Sequence, residues 1–204
     1  MSNNEPKRNH VLIDFENIQP KNLSLLLGKG YRVYVFVGEH QAKLPFELVD
    51  AMQQLGDAGR YIKIAGQGRN ALDFHVAYYL GELVREDPIG YFHVISRDTG
   101  FDPLIKHLRK RGIEAHREQD LAEIPPLRVP ATVAEDDKVG VVVKNLAGRG
   151  QSRPRKVKTL TNTINSLFRP KLADTELNDL IRDLQEQGYI LLDGDRVSYR
   201  LPRE

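Results

Sequence analysis

Five short β-prone runs, at residues 11–13, 31–37, 61–64, 91–95 and 113–116, are separated by four segments with helical spacing, and few architectures accept that order. The first run, Val11-Leu12-Ile13, has no polar interruption, as expected of a strand covered on both faces of a parallel sheet. Segment 71–84 brings Leu72, Val76, Tyr79, Leu80 and Leu83 to one side of a helix. Segment 45–55 does the same with Phe46, Leu48, Val49, Met52 and Leu55. Residues 20–27 predict a short helix stopped by Gly28 and Gly30, and residues 103–110 one stopped by Gly112. Strands separated by helices cannot pair as hairpins. The expected fold is therefore α/β, a Rossmann-like parallel sheet with right-handed crossovers and helices on both faces.

After Arg117 the pattern changes. Residues 122–130 hold Pro125, Pro126 and Pro130 and predict an extended linker. Beyond it, three helices are expected at 135–146, 157–168 and 174–187. Two β-prone runs follow, flanking Asp193-Gly194-Asp195, a hairpin signal. Three helices and a hairpin outline a smaller winged-helix domain. The division expected is residues 1–120, a linker at 121–133, and residues 134–204.

Several function classes drop out. The chain has no cysteine, which excludes disulfides and thiolate metal sites. No apolar run approaches the roughly 18 residues of a membrane span, and residues 1–10 lack the apolar core of a signal peptide; a cytoplasmic location is the expectation. The six histidines show no HxxH or HExxH spacing, which argues against zinc. No phosphate-binding P-loop and no Ser-His-Asp arrangement is discernible.

What remains is a set of acids at predicted strand ends. Asp14 and Glu16 follow the first strand, Asp73 opens the helix after the third, and Asp98 and Asp102 follow the fourth. In an open α/β sheet, ligands bind outside the carboxyl ends of the strands, where the strand order reverses. Carboxylates packed there repel one another unless a cation joins them. A hard divalent ion with oxygen ligands, Mg²⁺ or Mn²⁺, suits that donor set and the cleavage of phosphodiesters. Each acid also has a structural role open to it. Asn70 with Asp73 resembles a capping box, Asp102 before Pro103 resembles an N-cap, and Glu16 reads as a solvated loop charge. Asp14 is harder to explain away, because a charge directly after three buried aliphatics is costly without a partner.

The runs DFEN at 14–17, ALDFH at 71–75 and SRDTGFDPL at 96–104 resemble the PIN-like nucleases, specifically their NYN branch, over about residues 9–118. That resemblance implies a metal-dependent endoribonuclease. Asp14, Asp73 and Asp98 would be its metal-binding acids, Asn17 a polar companion of Asp14, and RNA, single-stranded, its substrate. The family's usual serine-glycine-aspartate-serine-aspartate-phenylalanine run reads Ser96-Arg97-Asp98-Thr99-Gly100-Phe101 here. Gly100 thus replaces the last aspartate, and Asp102 is the candidate to take over its role. The alternative is a catalytically weak or inactive RNA-binding protein that keeps the fold.

Arg69 and Arg97 flank the predicted crevice and are candidates to grip substrate phosphates. In the second domain, residues 149–171 carry seven basic side chains and no acid. Arg153, Arg155, Lys156 and Lys158 are its candidate RNA contacts, supplying affinity rather than sequence choice. This domain is similar to winged-helix modules of the LOTUS type. The resemblance leaves a protein partner or a homodimer open.

Overall fold

The computed structural model describes residues 7–20, 22–66, 68, 70–150 and 153–202, with residues 135 and 136 described by backbone alone. The chain forms two compact units, Met1–Leu121 and Ala122–Glu204. The first is built on five parallel strands: β1 (Asn9–Asp14), β2 (Tyr31–Val37), β3 (Gly59–Lys63), β4 (Tyr91–Ile95) and β5 (Glu114–Glu118). Their order is β3-β2-β1-β4-β5. The chain steps outward from β1 in one direction, returns to β4 on the other side of β1, and continues to β5. Ligand crevices form at such a reversal.

Burial follows position in the sheet. Central β1 has Val11, Leu12 and Ile13 at 0% exposure, each contributing about 1.5–3 kcal/mol of burial. The edge strand β5, with sequence EAHRE, buries Ala115 and Glu118 and leaves Glu114 exposed. That is why its sequence reads as polar. Helices α1 (Phe46–Leu55), α2 (Ala71–Glu86) and α3 (Asp102–Lys110) complete the unit. Leu72, Val76, Leu80 and Leu83 of α2 and Ile105 and Leu108 of α3 pack with Leu12, Phe36, Phe92 and Val94 of the sheet in one core. Register places Ile13 opposite Val35 and Ile95. Asp14 and Ser96 therefore emerge from adjacent strands at the same level.

Two expectations for the helices of the first unit need correction. Among the described residues of 20–27 only a 3₁₀ turn forms, Leu23–Leu26, after which Gly28 and Gly30 adopt positive φ. So short a segment cannot offset the cost of nucleating an α-helix. Phe46 does not join the core face of α1. It is 78% exposed, while Ala51 is buried in its stead. No helix among the described residues is long and apolar enough to cross a membrane.

In the second unit a two-residue strand β6 (Val129–Pro130) precedes α4 (Glu135–Gly148) and α5 (Val157–Ser166). Strand β7 (Phe168–Arg169), α6 (Asp174–Glu186) and the hairpin β8 (Ile190–Asp193) and β9 (Arg196–Tyr199) follow. Helix α5 stops short of the expected Phe168 because Phe168 pairs in parallel with Val129. Ala122, Val129 and Ala131 pack against this unit's core of Val139, Val142, Leu160, Ile164, Leu177 and Leu184. At the hairpin, Asp193 pairs with Arg196, so the loop is Gly194-Asp195, with Gly194 at φ 56°. A two-residue hairpin loop that begins at positive φ favours glycine there.

Candidate active site

Asp14 ends β1 and is 1% exposed. A lone carboxylate at that depth would be costly, and three donors offset the cost. The Asn17 backbone N–H donates to Oδ1 at 3.1 Å, and Asn17 Nδ2 donates to Oδ2 at 2.7 Å. Ser96 Oγ donates to Oδ2 at 2.7 Å from β4's end. Ser96 is itself 0% exposed, and its Oγ accepts the Asp98 N–H at 3.0 Å. One hydroxyl thus joins the carboxyl ends of β1 and β4. The sequence presents Ser96 only as the first residue of a motif; the register across the two strands discloses its role.

Asp98 caps the 3₁₀ turn Thr99–Phe101, with Oδ1 accepting the Gly100 N–H at 2.7 Å. Asp73 lies in the first turn of α2, and no hydrogen bond reaches its carboxyl group among the described residues. The capping-box role does not form. Asn70 sits at φ 64° and its side chain makes no cap bond. Burial, and then the negative charges of Asp14, Asp98 and Glu16, push the Asp73 carboxyl above the ordinary aspartate value. Asp73 thus feels acids from two other segments of chain. Glu16, although exposed, lies so close over Gly38 that a Cβ there would collide with Glu16 Oε1.

Asp102 behaves differently. It is the first residue of α3 rather than its N-cap, and its carboxylate pairs with Arg117 of β5. Arg117 Nε reaches Oδ1 at 2.6 Å and Nη2 reaches Oδ2 at 3.2 Å. Arg117 Nη1 also donates to the Ser96 carbonyl at 3.0 Å. Asp102 is absent from the charges that raise Asp73. Arg97 donates to the Asn17 carbonyl, which anchors one of the two arginines flanking the crevice. Arg69, the other, lies outside the described residues.

Among the described residues, no group of three or more His, Asp or Glu side chains stands close enough together to hold a metal ion. The donor set fits a hard divalent ion in kind. Every acid offers oxygen, Asp73 has no other partner among the described residues, and the repulsion it bears is what a cation relieves.

In the second unit, Arg155, Lys156 and Lys158 are exposed at the start of α5. Arg153 is half-buried and already hydrogen-bonded. It donates to the Leu146 and Ala147 carbonyls at 2.7 and 3.2 Å, where α4 ends, and lies 5.8 Å above the Tyr199 ring. Burial pushes the Tyr199 hydroxyl up to about 12, against the opposing charges of Arg153 and Arg149. Arg196 of β9, which the sequence did not single out, shares a cavity of about 620 Å³ with Arg155 and Lys156. Its signal was its place in the hairpin, adjoining Lys156 through a β-bridge.

A family model described as PIN domain matches residues 8–118, more than half of the chain. That span runs from the start of β1 to the end of β5. No curated protein and no solved structure matches significantly.

Proposed function

The chain belongs to the PIN domain family, whose members are generally metal-dependent nucleases, and from that premise we propose that it is an Mg²⁺- or Mn²⁺-dependent endoribonuclease of the NYN branch. The observation that carries the proposal is the electrostatic burden on Asp73, raised by burial and by Asp14, Asp98 and Glu16 together. A part-buried aspartate that faces other carboxylates costs stability when charged, and a cation beside it offsets that cost.

Asp14, Asp73 and Asp98 would hold the ion. When bound, it supplies Lewis acidity toward the phosphodiester and the attacking water. Ser96 and Asn17 orient Asp14, each through a hydrogen bond of 2.7 Å. Asp73 gives up its proton more reluctantly than an ordinary aspartate, so ion binding at acidic pH is accompanied by proton release from it. Asp102, engaged by Arg117, assists only indirectly, by fixing the arginine that grips the Ser96 carbonyl. Arg97 and Arg69 are the proposed phosphate grips at the crevice. The second unit, read as a LOTUS-type winged helix acting on single-stranded RNA, adds phosphate contacts through Arg155, Lys156 and Lys158. Arg153 lines the same cavity while its guanidinium holds the end of α4.

Incubation of RNA labelled at either end with Mn²⁺ tests the proposal. The wild-type chain is expected to yield labelled fragments of intermediate length from both labelled ends and Asp98→Asn to yield none. Equal cleavage by both refutes it.

Gly100 favours a second reading, an RNA-binding protein of little or no catalytic power. A Cβ at position 100 would lie 3.1 Å from Asp98 Oδ1, so an aspartate there would bring a second carboxylate beside the first. If the missing acid is what limits the protein, Gly100→Asp raises Mn²⁺-dependent cleavage at least tenfold. No change favours the fully catalytic reading.

A further inference from the structure

Cations collect on the first unit away from the acids as well. Lys106, Arg109 and Lys110 occupy positions i, i+3 and i+4 of α3, which share one helix face. With Arg117 of β5 they line a cavity of about 690 Å³, over Ile105. The single carboxylate in its wall, among the described residues, is Asp102, already paired with Arg117. Lys106, Arg109 and Lys110 are exposed, and none of them makes an ion pair among the described residues. Like charges at these spacings repel, and no described carboxylate neutralises them. A groove of this volume accepts a nucleotide-sized group.

The groove is tied to the crevice by covalent neighbours and one side chain. Asp102 and Arg117 form its wall, and Arg117 Nη1 donates to the carbonyl of Ser96, whose Oγ holds Asp14. Three unneutralised cations on one helix face are the charge complement of a phosphodiester backbone. We propose that the α3–β5 groove binds the phosphodiester backbone of single-stranded RNA. This deepens the nuclease reading and rests on it for the identity of the strand, but binding here needs no metal.

The test is fluorescence anisotropy of a labelled single-stranded RNA of about a dozen nucleotides, with EDTA present to prevent turnover. The full chain is compared with Lys106→Glu/Lys110→Glu and with the control pair Lys29→Glu/Arg85→Glu. The control makes the same change in net charge in the turn before β2 and the last turn of α2. Circular dichroism verifies that all three are folded. The groove pair is expected to bind at least tenfold more weakly than the control pair. Its log–log salt slope should be shallower by about 1.4, because each phosphate of a single strand that the protein ceases to neutralise lowers that slope by about 0.7. Affinity no weaker than the control pair's overturns the groove. If the groove pair keeps its RNA affinity while the wild type cleaves RNA with Mn²⁺, the groove alone is wrong. If the groove pair loses affinity and the wild type cleaves nothing, the nuclease reading fails and the groove stands.

Discussion

Replacing Ser96 by alanine removes one oxygen, and the structure sets what that oxygen is worth. Ser96 Oγ donates to Asp14 Oδ2 at 2.7 Å and accepts the Asp98 N–H at 3.0 Å. Asp14 is 1% exposed and Ser96 0%, so water cannot replace the missing donor without opening the crevice. A hydrogen bond to a buried charge contributes about 1.5–3 kcal/mol. Stranding the Asp98 N–H, which lies nearer solvent, adds about 1 kcal/mol. The expected loss is about 3 kcal/mol, which for a unit of this size lowers Tm by roughly 10 °C. Urea and thermal unfolding followed by circular dichroism measure it. A double-mutant cycle with Asp14→Asn isolates the pair and should return a coupling of at least about 1 kcal/mol. A loss below about 0.5 kcal/mol for Ser96→Ala, or additive effects in the cycle, would refute the claim that this hydroxyl holds the two strand ends together.

Two further outcomes follow from the same geometry. Asp73 has a folded-state pKa raised above the ordinary aspartate value of 3.8. Its favourable contribution is therefore present below pH 3.8 and lost as pH rises through the raised folded value. In metal-free protein Asp73→Asn should accordingly be more stable than wild type at neutral pH, with the difference vanishing in acid; a difference that stays constant in urea denaturation across that range would refute the shift caused by burial and the neighbouring acids. Arg153→Ala should destabilise the second unit by about 1–3 kcal/mol, because two carbonyls at the end of α4 lose their charged donor. A variant that melts like wild type and only loses RNA affinity contradicts the structural role assigned to Arg153.

The strand positions were legible because apolar runs in a parallel sheet carry their burial in the sequence. Val11-Leu12-Ile13 announces β1, and the order of acids at strand ends already points to Asp14, Asp73 and Asp98. Edge strands were less legible. β3 begins at Gly59, two residues before its apolar run at 61–64, since pairing with Val33 and Tyr34 extends it through polar residues. Pairing likewise ended α5 at Ser166, and nothing local to Phe168 reveals that its partner is Val129. The acids separated for the same reason. Asp102 lies two residues beyond position 100 and is the candidate to replace an aspartate there, but Arg117, fifteen residues on, captures both its oxygens. Arg153 belongs to the basic run by composition and to the end of α4 by its hydrogen bonds. Local chemistry can be read from neighbours in the chain; a residue's partner across the fold cannot.

The proposed function requires Asp14, Asp73 and Asp98 to act together on one divalent ion. Titration of the full chain with Mn²⁺, followed by loss of the free-ion electron paramagnetic resonance signal, counts bound ions directly. Saturable binding is expected at up to millimolar Mn²⁺, weakened at least tenfold in Asp14→Asn and in Asp73→Asn and unchanged in Asp102→Asn, whose carboxylate already serves Arg117. Equal binding by wild type, Asp14→Asn and Asp73→Asn, or no saturable binding by wild type, would contradict that joint role.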